Sequence, residues 1–166
     1  SFLYCVIIRY TLTLHITFLV NSWAHSFGSR PYNARIAPVE ASIRHVLAGE
    51  GFHNYHHQFP WDYSASELGP KDVFNPATLM INFFHWMGWA WDLKKVKPEM
   101  IAKTSELFGD PEGKREQPKG VFKSIWEWAC GLATMTTPLW GLVAIKYLFT
   151  YFASNYISFD FAMLAP

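Results

Sequence analysis

The apolar positions of this chain form two long blocks at its ends around a punctuated middle. Phe2 to Val20 reads FLYCVIIRYTLTLHITFLV, close to the ~20 apolar residues that a bilayer crossing requires. Arg9 and His15 interrupt it, and such residues are tolerated at membrane depth only when they snorkel or face protein. A buried helix of a soluble protein would show the same pattern. No Gly or Pro precedes Gly28 and Pro31, so the predicted helix runs on through His25. Ser29 to Pro38, with two prolines, reads as a loop. A second helix is expected over Val39 to His57, stopped by Pro60. Phe59 to Pro76 is crowded with turn formers. A third helix is expected from Thr78 to about Lys95, with Leu79, Phe83, Trp86 and Ala90 on one stripe. Pro98 to Phe108 reads as a solvated helix, followed by a mobile loop through Gly120. Ala129 to Ile145 carries no charge, and only Lys146 and Asp160 interrupt the run to Pro166. That block reads as a second membrane span, an interfacial segment, or sequence from a mis-joined reading frame.

Composition sharpens the membrane reading. Hydrophobic residues make up 51% of the chain and charged ones 16%, against ~25% charged in an ordinary soluble domain. The 8 Trp, 8 Tyr and 14 Phe suit a bilayer interface, where amphipathic rings collect. A net charge of +1 gives no nucleic-acid signature. Arg30, Arg35 and Arg44, with no acid before Glu40, put the side after the first helix in the cytoplasm. Eight of the fourteen Lys and Arg residues lie between Asp92 and Lys123. An ordinary wet surface accounts for them, and a docking face for an acidic electron donor is the alternative. Cys5 and Cys130 sit in apolar stretches and read as buried thiols. The chain begins with Ser, and its first Met is Met80, which reads as a fragment lacking its N-terminal part. The expected organisation is a transmembrane helix over 1–28, a cytoplasmic helical cap over 29–120 and an apolar segment over 121–166.

Candidate chemistry centres on Gly49-Glu50-Gly51-Phe52-His53-Asn54-Tyr55-His56-His57, which places three of the seven histidines within five positions. On a helix, positions i, i+3 and i+4 share a face, and histidine is the commonest metal ligand. An exposed, His-rich helix end is the simpler reading. A second group stands upstream: Thr17, Asn21 and His25 form a polar stripe on an apolar helix. Interhelical hydrogen bonding explains such a stripe, and so does a site at the membrane surface. Four imidazoles without cysteine favour iron, zinc or copper, and a His-rich membrane site suits oxygen activation by iron. Four ligands suffice for one zinc and are too few for two irons.

The run Asn21-Ser22-Trp23-Ala24-His25, Arg30-Pro31-Tyr32, Gly49 to His57, and Phe59-Pro60-Trp61-Asp62-Tyr63 resembles the membrane fatty acyl-CoA desaturases, most closely the insect delta-9 and delta-11 type. The resemblance covers roughly residues 1 to 113. It implies an all-α integral membrane protein: a four-helix bundle with a helical cytoplasmic cap in the endoplasmic reticulum membrane, the first helix here being the last of the four spans. It implies a di-iron centre with His25, His53, His56 and His57 as ligands, Asn21 holding a metal through water, and Thr17 and Phe18 lining the acyl tunnel. The reaction implied is oxygen-dependent insertion of a cis double bond into a fatty acyl-CoA, with electrons from cytochrome b5 and its reductase. Two further histidine boxes of the family, and with them the remaining iron ligands, are missing here, so the chain alone is expected to be inactive. The alternative from another class is a truncated, non-catalytic membrane protein that only associates with intact desaturases.

Overall fold

The computed structural model describes the backbone of residues 3–156, and the side chains among them other than those of 3–5, 137–142, 149 and 152–156. The chain is helical from Leu3 to His25, as expected. A π-helical stretch over Leu3–Ile8 leads into α1 (Arg9–Ser22), which tightens to a 3₁₀ turn over Trp23–His25. The polar stripe on α1 closes on its own backbone. Thr13, Thr17, Asn21 and Ser22 each donate to the carbonyl four residues earlier. Back-bonding of this kind satisfies polar side chains on an apolar helix, and of the stripe read from the sequence it takes up Thr17 and Asn21 but not His25, whose Nε2 meets His53. Among the described residues, no helix is long and apolar enough to cross a membrane.

The helix expected over Val39 to His57 is replaced by a short crossing segment, a run of turns and one short helix. Residues 39–41 run between two other pieces of chain. Val39 N–H bonds Ala24 O, Glu40 N–H bonds Ser29 O, and Ala41 N–H bonds Gly51 O. Glu40 makes isolated antiparallel bridges to both Ser29 and Phe52. Donors spent sideways are lost to a helical ladder. Ala48 and Gly49 take left-handed conformations, at φ 54° and 95°, which end any helical path through them. A Cβ on Gly51 would lie 2.5 Å from Arg44 Cβ, so only glycine lets the two backbones approach here. Helicity resumes as α2 (His53–Gln58).

Phe59 to Asn75 is irregular, as its turn formers predict, and Asp62 organises it. Its Oδ1 accepts from the Ser64 amide and hydroxyl, and its Oδ2 accepts from Tyr55 OH and the Val96 amide. α3 (Pro76–Trp86) begins earlier than Thr78 and ends well before Lys95. Asn75 caps it by accepting from Thr78 N–H, and Pro76 occupies the first turn. Gly88, at φ 76°, ends it. Trp89 N–H bonds Phe84 O and Gly88 N–H bonds His85 O, the paired bonds of a Schellman turn. The apolar stripe read from the sequence faces outward. Leu79, Phe83 and Trp86 are exposed, and Ala90 lies beyond the helix. α4 (Pro98–Phe108) matches its expected bounds and buries Ile101. α5 (Val121–Tyr156) is one helix of 36 residues, and residues 157–166 of the apolar block lie outside the described part. Cys130 is a free, half-buried thiol instead of a buried one, and the Cys5 side chain lies outside the described residues.

The larger core joins Tyr32, Phe52, Tyr55, Phe59, Val73, Val96 and Ile101, with Leu68 against its edge. Phe52, Tyr55 and Phe59 place one side of α2 in it. A smaller cluster of Ala24, Ala41 and Leu47, flanked by Leu19, Val20 and Ile43, packs the end of α1 on the crossing segment. The chain is thus all-helical apart from two isolated bridges among the described residues.

Candidate metal centre

The sideways bonds of residues 39–41 decide the site. They hold Ala24 on one side and Gly51 on the other, so His25, next after Ala24, and His53, two residues after Gly51, are brought together across 28 positions of sequence. His25 Nε2 lies 2.9 Å from His53 Nε2, and His57 Nε2 lies 3.2 Å from it. Ligand atoms of all three fall within 4.8 Å of one another. Imidazole nitrogens held at about 2.0–2.1 Å from one ion stand about 2.9 Å apart at a right angle and about 3.4 Å apart at a tetrahedral one. Both measured separations lie in that interval. His53 therefore stands at ligand spacing from each of the other two, and the three form a group that could hold a metal ion.

Protonation agrees with that fit, since a metal takes only neutral imidazole. Burial pushes His53 down to about 4, with further lowering from His57, His25 and His56. Burial also lowers His57, helped by His56 and His25. Both shifts favour the uncharged ring.

His56 stands outside the trio. Its ring centroid is 6.1 Å from that of His53 and 5.6 Å from that of His57. Its Nδ1 is buried without a hydrogen-bond partner, an arrangement that normally costs stability and leaves a lone pair or a proton to be satisfied by something else. Asn21 lies exposed on α1, its amide donating to Thr17 O at 2.9 Å. Thr17 and Phe18 are likewise exposed on α1. The structure thus joins His25, His53 and His57, sets His56 beside them, and spends the Asn21 donor within its own helix.

Residues that the motif reading passed over hold α2 in place. Asn54, fully buried, fills all of its hydrogen-bonding capacity. Its Oδ1 accepts from the Tyr32 and Asn33 amides, and its Nδ2 donates to Asn33 O and Pro38 O. Glu40 Oε1 accepts from the Tyr55 amide at 2.8 Å, satisfying one of the free donors in the first turn of α2. Desolvation pushes the Glu40 carboxyl up to about 8. Tyr55 OH donates to Asp62. Asn54 stood inside the histidine run and could have been suspected, because a polar residue between core aromatics needs partners. Glu40 carries no local signal, since its partner lies fifteen residues away.

No protein-family model matches the chain. Curated relatives do. An acyl-CoA Delta(11) desaturase of Spodoptera littoralis is 52% identical over 104 residues, 62% of this chain and 30% of that protein. An acyl-CoA Delta(11) desaturase of Trichoplusia ni is 46% identical over 121 residues, 72% of this chain and 32% of the relative. The human stearoyl-CoA desaturase 5 is 48% identical over 111 residues, 66% of this chain and 33% of its own length. The chain spans about a third of the length of the curated relatives it matches.

Proposed function

We propose that this chain, which belongs to the acyl-CoA desaturase family over the two-thirds that it shares with those relatives, supplies one wall of a di-iron centre that desaturates fatty acyl-CoA. The convergence of three Nε2 atoms from His25, His53 and His57 carries the reading. That trio holds one iron, with Asn21 contributing through water once its amide turns from the helix. His56, beside the trio with an unpartnered Nδ1, serves the second iron, and the remaining ligands come from the part of the relatives that this chain does not span. Bound iron supplies oxygen activation for removing two hydrogens from an unactivated methylene pair. The chain's own residues favour the uncharged forms of His53 and His57, fix the rings' directions and shield one side of the site. Thr17 and Phe18, exposed on α1, meet the acyl chain. Cytochrome b5 and its reductase deliver the electrons at the cytoplasmic face of the endoplasmic reticulum membrane. Residues 1–28 form the last of four spans, 29–120 the cap, and 121–166 an added apolar segment.

Two measurements test this. Purified in detergent, the chain alone is expected to bind cobalt(II) with the visible absorption of imidazole ligation and to hold fewer than two irons. His53→Ala should remove the absorption. Two tightly held irons per chain would contradict the ligand count. Joined to the upstream part of the Trichoplusia ni relative, the chain should rescue a desaturase-deficient yeast, and His56→Ala should abolish the rescue. Undiminished growth with that variant would take His56 out of the centre.

A further inference from the structure

A surface helix ordinarily turns its apolar side inward, and α3 is reversed. Its inward groups are polar: Thr78 Oγ1 donates to Ser64 O at 3.1 Å, and Asn82 Oδ1 accepts from Tyr63 OH at 3.0 Å. At about 100° per residue, Leu79, Met80, Phe83, Trp86 and Met87 share the opposite side, and all five are exposed. Trp86 is 80% exposed. The turn at Gly88 extends the same character, with Trp89 stacked on Phe84 at 5.9 Å and Trp91 77% exposed. From Val73 to Trp91 there is no Asp, Glu, Lys or Arg. Just beyond, Lys94, Lys95 and Lys97 are exposed, flanked by the acids Asp92 and Glu99.

We propose that α3 and the turn after it, residues 79–91, lie flat in the headgroup layer of an anionic membrane. The aromatic side faces the acyl boundary, and Lys94, Lys95 and Lys97 meet lipid phosphates. Tryptophan rings gather at that depth because one end is apolar and the other wet. A cationic run along one edge of the aromatic face complements anionic lipid. An in-plane helix needs no bilayer-spanning length, so eleven residues suffice. This surface is separate from the histidine centre and does not depend on the reaction proposed for it.

Spin labels on Phe83→Cys and Trp86→Cys decide the matter, in a Cys5→Ser, Cys130→Ser background. The chain is reconstituted in phosphatidylcholine vesicles containing phosphatidylserine. Both labels should relax more with oxygen, which concentrates in the bilayer, than with a water-soluble nickel chelate. A label on Glu112→Cys should do the reverse. Vesicles without phosphatidylserine, or Lys94→Gln, Lys95→Gln and Lys97→Gln together, should raise chelate access at positions 83 and 86. Chelate access there equal to that at position 112 would mean that the face stands in water. Shielding from both reagents would mean that protein covers it. Either result overturns the proposal.

Discussion

Asn54 shows how a single side chain positions the histidine run. All four of its hydrogen bonds are to backbone groups of residues 32–38. Asn54→Asp keeps the shape but turns an oxygen toward the Asn33 and Pro38 carbonyls. It should cost about 3 kcal/mol at neutral pH, read as a lower denaturant midpoint. Acidification should recover part of the loss, because a protonated carboxyl donates once; a pH-independent loss would refute the repulsion argument. Glu40 gives a prediction of its own. Its carboxyl is pushed up to about 8 from an ordinary value of 4.5, so the folded chain holds a proton that the unfolded chain releases in that interval. The group's contribution is therefore greatest below pH 4.5 and declines as pH rises to about 8. Glu40→Gln keeps an acceptor for the Tyr55 amide and should flatten this decline in denaturation curves taken at about pH 5 and about pH 9. An unchanged slope would assign the pH dependence elsewhere.

At the scale of elements, the sequence was legible where local chemistry rules. Pro98 opens α4 and the turn formers of 59–75 keep that stretch irregular, both as the pattern implies. α2 shows the opposite case. The sequence reads as one helix from Val39 to His57, of which only the last part is found, with His53 and His57 on one face of it. The crossing of 39–41 between residues 24 and 51 was invisible, because backbone bonds between distant segments leave no periodicity. α3 marks the limit of such patterns: an apolar stripe says that a face avoids water, not what covers it. The candidate ligands His25, His53 and His57 were legible as a set, yet their meeting point rested on bonds made by Val39 and Ala41. α5 docks through Trp128, whose indole donates to Pro70 O at 2.7 Å, and through Gly131, where a Cβ would lie 2.3 Å from the Phe74 ring. Gly131→Ala should loosen this contact. Faster amide exchange across residues 124–131, with residues 98–108 unchanged, is the expected reading; unaltered exchange in the former would show that the ring yields without cost.

At the scale of the whole molecule, a charge cluster ties the turns before α2 to α5. Arg44 donates from Nε to Glu127 at 2.6 Å and from a terminal nitrogen to Glu116 at 2.8 Å, and Lys119 donates to the other Glu127 oxygen at 2.8 Å. The Arg44 and Glu127 side chains retain 13% and 8% of their exposure. Removing one member of so enclosed a pair leaves the other charge without its partner. Glu127→Ala should thus cost about 3–5 kcal/mol, while the double change with Arg44→Met should recover part of that in a mutant cycle. Strict additivity would show that the two do not act together. The crossing of residues 39–41 has one more consequence, which concerns chain closure. Bringing His25 to His53 closes a loop of 28 residues, a cost of about 3 kcal/mol for a flexible chain, which the backbone bonds of residues 39–41 help to offset. An isolated peptide of residues 49–58 has no such closure and no His25. Its affinity for cobalt(II) should fall below that of the folded chain by at least ~100-fold, so the ion reports on the fold as much as on the histidines that hold it.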